Sequence, residues 1–568
     1  MVNCPDQPIM KDFRTFFTKF SWRNWLLALA VVLVSWLVIS LLLTGLAARS
    51  LAQGKVATSQ ALFEAAYPGS WLVSRLTFRS WPLAEVWHEG VWLGRYGSRL
   101  QRQLADLSLE EQVVIAKNSL GEINNHLPNL AENFQRSSLL SVVIKNHQQA
   151  ALQLTKFQEV ADVLGQLFNS EQRWLILLQN TDELRATGGF IGSYAVIDFS
   201  QENPLQLEVR DIYDPSGISI SLPSPAGQAE YLSEGQGMRL HDANWSPDFP
   251  TAASTIFRYF GRINGDPQSF DGVIALPLSA IETMIGAVGG VYLPDQERTI
   301  SATEVVEVLR QNRSSFFPGS REKEQALQQL YTALLLRLSQ LSVGEWGAVV
   351  SNLAEDRLFS ELQFYSTTAA LQNKLLALNL AGKTEAYDPQ EIYVMPVETN
   401  VGINKANRKV SRSLSLALAD QQLTVSTTFT NHYTLADRPA EILNNPNYTV
   451  ANHLGYINYH RLLVRSDMRV RSITIDNELL TTWDEEIVVN SSGTSYLQVG
   501  FLVRVPEETE TTTAVEFSLP GNLDQAIAIQ KQVGLTYETV AIHCPAGAIL
   551  NPALIHNLYQ ASCQEAVQ

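Results

Sequence analysis

Apolar residues change their rhythm several times between the first residue and the last, and each rhythm predicts a different element. Trp25–Ala48 reads WLLALAVVLVSWLVISLLLTGLAA without a charge. A helix of about 24 residues is roughly 36 Å long, enough to cross a hydrocarbon core of about 30 Å with some tilt. Lys11, Arg14, Lys19 and Arg23 precede this run, and only Arg49 and Lys55 follow closely. That asymmetry predicts a single-pass plasma-membrane anchor over 25–48, with 1–24 as a cytoplasmic tail and an extracytoplasmic body. The competing reading is a cleaved signal peptide with Ser50-Leu51-Ala52 at the cleavage site, although such apolar cores usually run only about 7–15 residues. Later apolar patches near Trp71 and Trp92 are broken by Arg75, Arg79, Glu85 and His88, so no second span is expected.

From 49 to 171 apolar residues recur at three- and four-residue steps, clearest in Leu104–Leu120 and Ala150–Phe168, which predicts a helical stalk. At Trp174 the texture becomes strand-like. WLILLQN, FIGSYAVIDF, LQLEVRDIYD and FDGVIALPL are short apolar runs, and helical stretches at Thr251–Phe260, Ser279–Ala287, Ala302–Gln311 and Lys323–Leu341 follow or separate them. Strands alternating with helices predict an α/β sheet domain over 172–375. Beyond Tyr387, SLSLALADQQLTVSTTFTN, YINYHRLLVRS, VRSITID, SYLQVGFLVRVP and AVEFSLP alternate polar and apolar residues, predicting an antiparallel β-sandwich over 392–545. Residues 546–568 read as a short helix and tail. The expected fold class is therefore a multidomain α/β protein with an N-terminal membrane helix.

A chain of 568 residues suits two or three folded units, and 45% hydrophobic with 17% charged residues is ordinary globular composition. The formal net charge of −16 excludes nucleic acid as a partner of the whole body, because phosphate-backbone binding needs a basic surface. Cys544 and Cys563 lie close in sequence, either bridged, as an oxidising compartment allows, or as two thiols; Cys4 stands alone.

Enzyme signatures are mostly missing. His88-Glu89 lacks the second histidine of HExxH, Gly382-Lys383-Thr384 lacks the upstream glycine of a P-loop, and no GxSxG is present. The segment that stands out is NTDELRATGGFIGSY, Asn180–Tyr194. Paired glycines after a strand permit close approach of backbone to a ligand, and Arg185 beside them is suited to bidentate phosphate contact. The plainer reading is a tight turn whose arginine and glutamate pair with each other.

This segment resembles the NxxELRxTGGFIGS motif of a bacterial membrane-anchored family catalogued as domain of unknown function 4012. DANWSPDFP (Asp242–Pro250), DGVIALPLSAIETMIGAVGGVYL (Asp271–Leu293), NVGINKANRKVSRS (Asn400–Ser413), YINYHRLLV (Tyr456–Val464) and QKQVG (Gln530–Gly534) resemble further pieces of it. That family is in turn similar to the LytR-CpsA-Psr proteins, which transfer polyprenyl-pyrophosphate-linked glycopolymers onto peptidoglycan. The resemblance implies that Arg185, Arg210 and Arg321 hold pyrophosphate, with Asp211 beside Arg210 in the catalytic set. It further implies ligand contacts from Asn180, Glu183, Gly188, Gly189, Lys323 and Gln325. A divalent metal, Mg²⁺, would use Asp211, Asp242 or Asp248, with Asp214 as a further candidate. Two positions depart from the transferase pattern: Thr187 stands where an aspartate is expected, and Glu324 or Lys323 replaces a second arginine. The expected partners are the membrane and a polyprenyl-linked glycan or peptidoglycan. The alternative expectation is a non-catalytic envelope scaffold or a glycan- or protein-binding module, with Asn404, Lys405 and Asn407 forming a structural turn where the sandwich begins.

Overall fold

The computed structural model describes residues 22–53, 55–77, 79–104, 107, 109–168, 171–199, 207–213, 220–233, 235–265, 270–311, 321–341, 345, 349, 361–419, 421–434, 455–521, 523, 526–545, 547, 549–552 and 558–563. The protein is mixed α/β, with an N-terminal apolar helix, a helical region and several sheets. It forms two compact units, residues 1–165 with 340–347, and residues 166–339 with 348–568.

The first unit contains α1 (Trp22–Ala52), α2 (Val56–Leu76), α3 (Pro82–Leu104), α4 (Leu109–Arg136), α5 (Ser138–Val143) and α6 (His147–Phe168). Within α1, Val32–Leu51 is long and apolar enough to cross a membrane. The helical region expected over 49–171 is a packed set of helices, in which α2 folds back antiparallel along α1. The Ser59 hydroxyl donates to the Ala47 carbonyl at 2.9 Å, and Gly69 abuts the Ser40 side chain ten residues on. Trp87 of α3 closes the layer by donating its indole N–H to Thr44 at 3.0 Å. Asn124 of α4 reaches the Ala161 carbonyl of α6 at 2.9 Å.

The second unit begins with a five-stranded sheet of β1 (Arg173–Asn180), β2 (Phe190–Asp198), β3 (Glu208–Asp211), β4 (Gly272–Pro277) and β7 (Gln363–Ser366), in the order β3-β2-β1-β4-β7. β1 and β4 run parallel and the other pairs are antiparallel. Between them lie α7 (Gln228–Tyr231), α8 (Phe249–Asn264), α9 (Leu278–Ala287), the small β5 (Val291–Leu293)–β6 (Arg298–Ile300) ribbon, α10 (Ala302–Gln311) and α11 (Arg321–Ser339). α12 (Ala369–Ala377) follows β7. Helix α8 shows how sequence sets this packing. Asp248 caps its first turn by accepting from Thr251 N at 3.2 Å, Pro250 suits the first turn, and Gly265 at φ 69 ends it. Phe249, Ala252, Ala253, Ile256, Tyr259 and Phe260 then share one buried stripe against Leu175, Leu177, Val273 and Ala275 of the sheet. Each large side chain so buried stabilises the fold by about 1.5–3 kcal/mol.

After α12 the chain builds two further sheets from β8 (Ile392–Asn400), β9 (Val410–Ala419), β10 (Gln422–Asn431), β11 (Tyr456–Arg465), β12 (Arg469–Ile475), β13 (Glu478–Leu479), β14 (Asp484–Val489), β15 (Ser495–Val505), β16 (Glu510–Ser518), β17 (Ala526–Gln530), β18 (Thr539–His543), β19 (Ile549–Leu550) and β20 (Leu558–Ser562). Their orders are β13-β12-β16-β10-β9-β18-β19 and β14-β15-β11-β8-β17-β20. Alternate residues of β9 and β10 enter a core shared by both sheets, where Leu414, Leu416, Val425 and Phe429 meet Val394, Leu462, Val499 and Val503.

Two features differ from the sequence expectation. Two strand pairs, β8/β17 and β9/β18, are parallel, because the chain returns late to add β17 alongside β8 and β18 alongside β9. The described part of 546–568 forms edge strands β19 and β20 where a helix was expected, with Cys544 and Cys563 joined as a disulfide. The α/β sheet and the paired sheets lie in one compact unit. Opening the disulfide, which closes a 19-residue separation, should cost about 3 kcal/mol by loop entropy. Urea unfolding of the oxidised full-length protein against Cys544→Ser/Cys563→Ser in detergent measures this as a lower midpoint.

Candidate functional site

β1 runs out at Asn180, whose side-chain oxygen turns the chain by accepting from Asp182 N at 3.1 Å. Glu183 N bonds the Asn180 carbonyl at 3.2 Å, and Phe190 N returns to the Glu183 carbonyl at 2.8 Å to start β2. This loop holds Arg185 inward, 2% exposed. Its Nε donates to Asp242 Oδ1 at 3.0 Å and Nη2 to Glu183 Oε1 at 3.0 Å. Nη1 donates to the carbonyls of Asn400 at 2.7 Å and Leu184 at 3.2 Å. The ring of Phe190 lies 5.6 Å from the guanidinium carbon.

Burial alone would lower the Arg185 pKa; Asp242 and Glu183 overcome it and hold the value above the ordinary range. Burial likewise pushes the Asp242 carboxyl up, but Arg185 and His241 outweigh it and leave the group below the usual carboxylate range. For Glu183 burial wins and its pKa rises despite Arg185. Burial, then Glu183 and Asp242, raise the neighbouring Tyr213 hydroxyl.

The segments that carry the family resemblance converge on this loop. Asn400 N bonds the Leu184 carbonyl at 3.0 Å, and Leu184 N bonds Asn407 Oδ1 at 3.1 Å. Asn400 Nδ2 also gathers Asn404 and Asn407, so the NKAN turn is a brace for the Arg185 loop. Gln532 Nε2 donates to the Arg185 carbonyl at 2.9 Å and to the Glu398 carbonyl at 3.0 Å. Asn244 Nδ2 reaches Thr187 Oγ1 at 2.9 Å and the Gly189 carbonyl at 2.8 Å. Arg461 of β11, pushed by burial down to about 10, stacks 4.4 Å from the centre of the Trp245 ring. Gly188 and Gly534 both have positive φ, 117 and 80 degrees, and a Cβ on Gly534 would sit 2.7 Å from the Gly188 carbonyl oxygen. Backbone does approach closely here, as the paired glycines predict, but the approaching group is the protein's own chain.

Residues 169–313 match the model of a family described as protein of unknown function (DUF4012). No curated protein matches the chain. The matched stretch runs from just before β1 to just past α10, and so includes the Arg185 loop with Asp242 and Asn244. Asn400, Asn407 and Gln532, which complete the shell around that loop, lie beyond it.

The expected phosphate and metal roles meet a different geometry. Arg185 already has two carboxylates and two carbonyls around it, so gripping a diphosphate would require breaking buried ion pairs. Asp248 accepts from Thr384 N at 3.0 Å on one oxygen and from Thr251 N at 3.2 Å and Ser491 N at 3.0 Å on the other. It is a helix cap that also ties two distant loops. Asp242 is taken by Arg185 and by His241 Nε2 at 3.2 Å, and Asp211 accepts from Tyr213 N at 2.9 Å. Among the described residues no three His, Cys, Asp or Glu side chains gather as a metal cluster. Arg210 is exposed on edge strand β3, and α11, which starts at Arg321, packs against that strand. The side chains of Arg321, Lys323 and Glu324 and the whole of Asp214 lie outside the described residues, while Gln325 is exposed.

Sequence reasoning missed Asn400, Gln532, Asn244, His241 and Tyr213 as members of the site. The signal for the first three was present in NVGINKAN, QKQVG and DANWSPDFP, short polar runs at strand or helix ends where side-chain amides brace turns. The outer edge of the cluster is acidic and aromatic. Glu183, Asp242 and His241 retain side-chain exposures of 12%, 9% and 18%, beside Phe190 and Tyr213, whose rings lie 5.6 and 5.0 Å from His241.

Two expectations follow from these charges. Arg185→Met leaves two buried carboxylates uncompensated and should cost about 3–5 kcal/mol, measured by chemical unfolding of the full-length protein. Asp242 is depressed when folded, so its contribution is present above about pH 3.9 and is lost as pH falls through its lower folded value. Asp242→Asn should therefore unfold at lower temperature at pH 7, with the gap to wild type closing below about pH 4.

Proposed function

We propose that the protein is a membrane-anchored, extracytoplasmic scaffold or binding module of the bacterial cell envelope, acting without phosphoryl transfer. The observation that carries this reading is the Arg185 guanidinium. In the resemblance to LytR-CpsA-Psr transferases this arginine grips pyrophosphate, whereas here it joins the α/β sheet to the paired sheets through Asp242, Glu183 and Asn400. On this reading the α/β domain keeps a transferase-like framework and has turned its anion-binding arginine into an internal fastener. Thr187, where the transferase pattern expects aspartate, fits the same reading: its hydroxyl accepts from the buried Gln179 and Asn244 amides.

The anchor and its orientation rest on α1 and on Lys11, Arg14, Lys19 and Arg23 before it, with the body outside. The Cys544–Cys563 bridge supports an oxidising, extracytoplasmic compartment. The partner is an envelope glycan or protein met at an acidic, aromatic surface, on which rings stack against sugar faces and carboxylates accept from hydroxyls.

One observation favours the transferase as a second reading. Arg210 and Asp211 end β3, and α11, the helix that Arg321 begins, packs against that strand. Incubation of the full-length protein in nanodiscs with a polyprenyl-pyrophosphate-linked glycan, an acceptor glycan and Mg²⁺ separates the two. The scaffold reading expects no glycan transfer and no saturable binding of the lipid. Transfer that disappears in Arg210→Ala would overturn it.

A further inference from the structure

We propose that the α2–α3 hairpin is itself inserted in the bilayer, as a re-entrant helical pair lying along the anchor. This rests on the reading that α1 spans a membrane. The first observation is where the hairpin touches α1. Its contacts are with Ser40, Thr44 and Ala47, all inside Val32–Leu51, the stretch apolar enough to cross. Those residues cannot be at membrane depth unless the groups packed on them are there as well. Leu76 is seven residues beyond Gly69 along α2, so the hairpin tip extends roughly 10 Å past the Ser40 contact.

The second observation is that the helix pair is built inside out relative to a bundle in water. A water-exposed bundle buries large apolar side chains and turns polar ones outward. Here α2 buries Ser59, Ala66, Gly69, Ser70 and Ser74, with Phe63 the one large side chain among its buried residues. α3 buries Glu85, His88, Glu89 and Ser98, together with the apolar Ala84 and Val91. The large apolar residues Trp71, Leu76 and Trp81 stand outside at 43%, 63% and 44% exposure, clustered at the tip. Small and hydroxyl residues at helix contacts, ionisable groups turned inward and apolar side chains outward describe packing in lipid.

The inward carboxylates Glu85 and Glu89 have partners within the bundle, as a low-dielectric surrounding requires. Ser74 donates to Glu85 Oε1 at 2.5 Å, and Glu89 Oε2 meets His126 Nδ1 at 2.5 Å, with that imidazole stacked on Trp92. The outward face of α1 continues the same apolar surface through Val34, Val38, Leu42 and Leu46, all more than half exposed. Arg75, over the Trp71 ring at 5.7 Å, and Arg79 sit at the tip, where long cationic side chains reach toward headgroups. The occupant of this surface is therefore the acyl region of the bilayer that α1 crosses.

The test uses full-length protein in phosphatidylethanolamine/phosphatidylglycerol vesicles, on a Cys4→Ser background with the Cys544–Cys563 bridge closed. Single nitroxide labels at Leu76→Cys and Trp81→Cys are compared with Leu42→Cys on α1 and Ile487→Cys on exposed strand β14. The proposal expects the two tip labels to match Leu42, accessible to oxygen with loss of collision by a water-soluble nickel chelate. Tip labels that collide with nickel as Ile487 does, beside a lipid-buried Leu42, overturn the hairpin and leave the anchor standing. Nickel access at Leu42 as well overturns both.

Discussion

A guanidinium withdrawn from water must be surrounded by charge and carbonyl oxygen, and meeting that demand for Arg185 organises the second unit. Its partners come from the turn after β1, from the segment before α8 and from the end of β8. A buried ion pair of this kind contributes little net stability beyond what packed hydrocarbon would give. What it enforces is arrangement, since any displacement of β8 or of Asp242 leaves a charge stranded in a low-dielectric interior. The neighbouring Glu398, held by Arg412 at 2.6 Å and by the Tyr456 hydroxyl at 2.5 Å, repeats the device two residues back along β8. Gln532 links the two centres by bonding both Arg185 and Glu398 main-chain carbonyls.

Most of the elements were legible in sequence, because their periodicity is local. WLILLQN, FIGSYAVID and GVIALP became β1, β2 and β4, and the stretch around Thr251–Phe260 became α8. β7 and β14 were overlooked: one is four residues long, and the other carries Asp484, Glu485 and Glu486 at a sheet edge. β17–β20 escaped for another reason. Their places are set by pairing with strands far back in the chain, a constraint no local pattern records.

The site was legible in position but not in role. NTDELRATGG announces a turn with a cation and two glycines, and such a turn serves a phosphate or an internal carboxylate equally well. The difference lies in Asp242, 57 positions away, and in Asn400, 215 positions away, neither of which local spacing can assign. The folded helices of the first unit were hidden in a similar way. Arg75, Arg79, Glu85 and His88 interrupt the apolar runs and argue against membrane depth, yet Glu85 and His88 turn inward, where a hydropathy average cannot see their partners.

The Gln532 contact has a bearing on how the chain matures. Its amide closes over the Arg185 carbonyl from 347 residues downstream. At about 5–20 residues per second, synthesis of that interval takes roughly 20–70 seconds. Through most of that wait β1 and β2 have been made, while β4, β7 and the capping strands are still being added. A nascent polypeptide leaving the ribosome in order must thus hold β1 and β2 in an unsealed state, vulnerable to sticking and to proteases, until its final strands arrive.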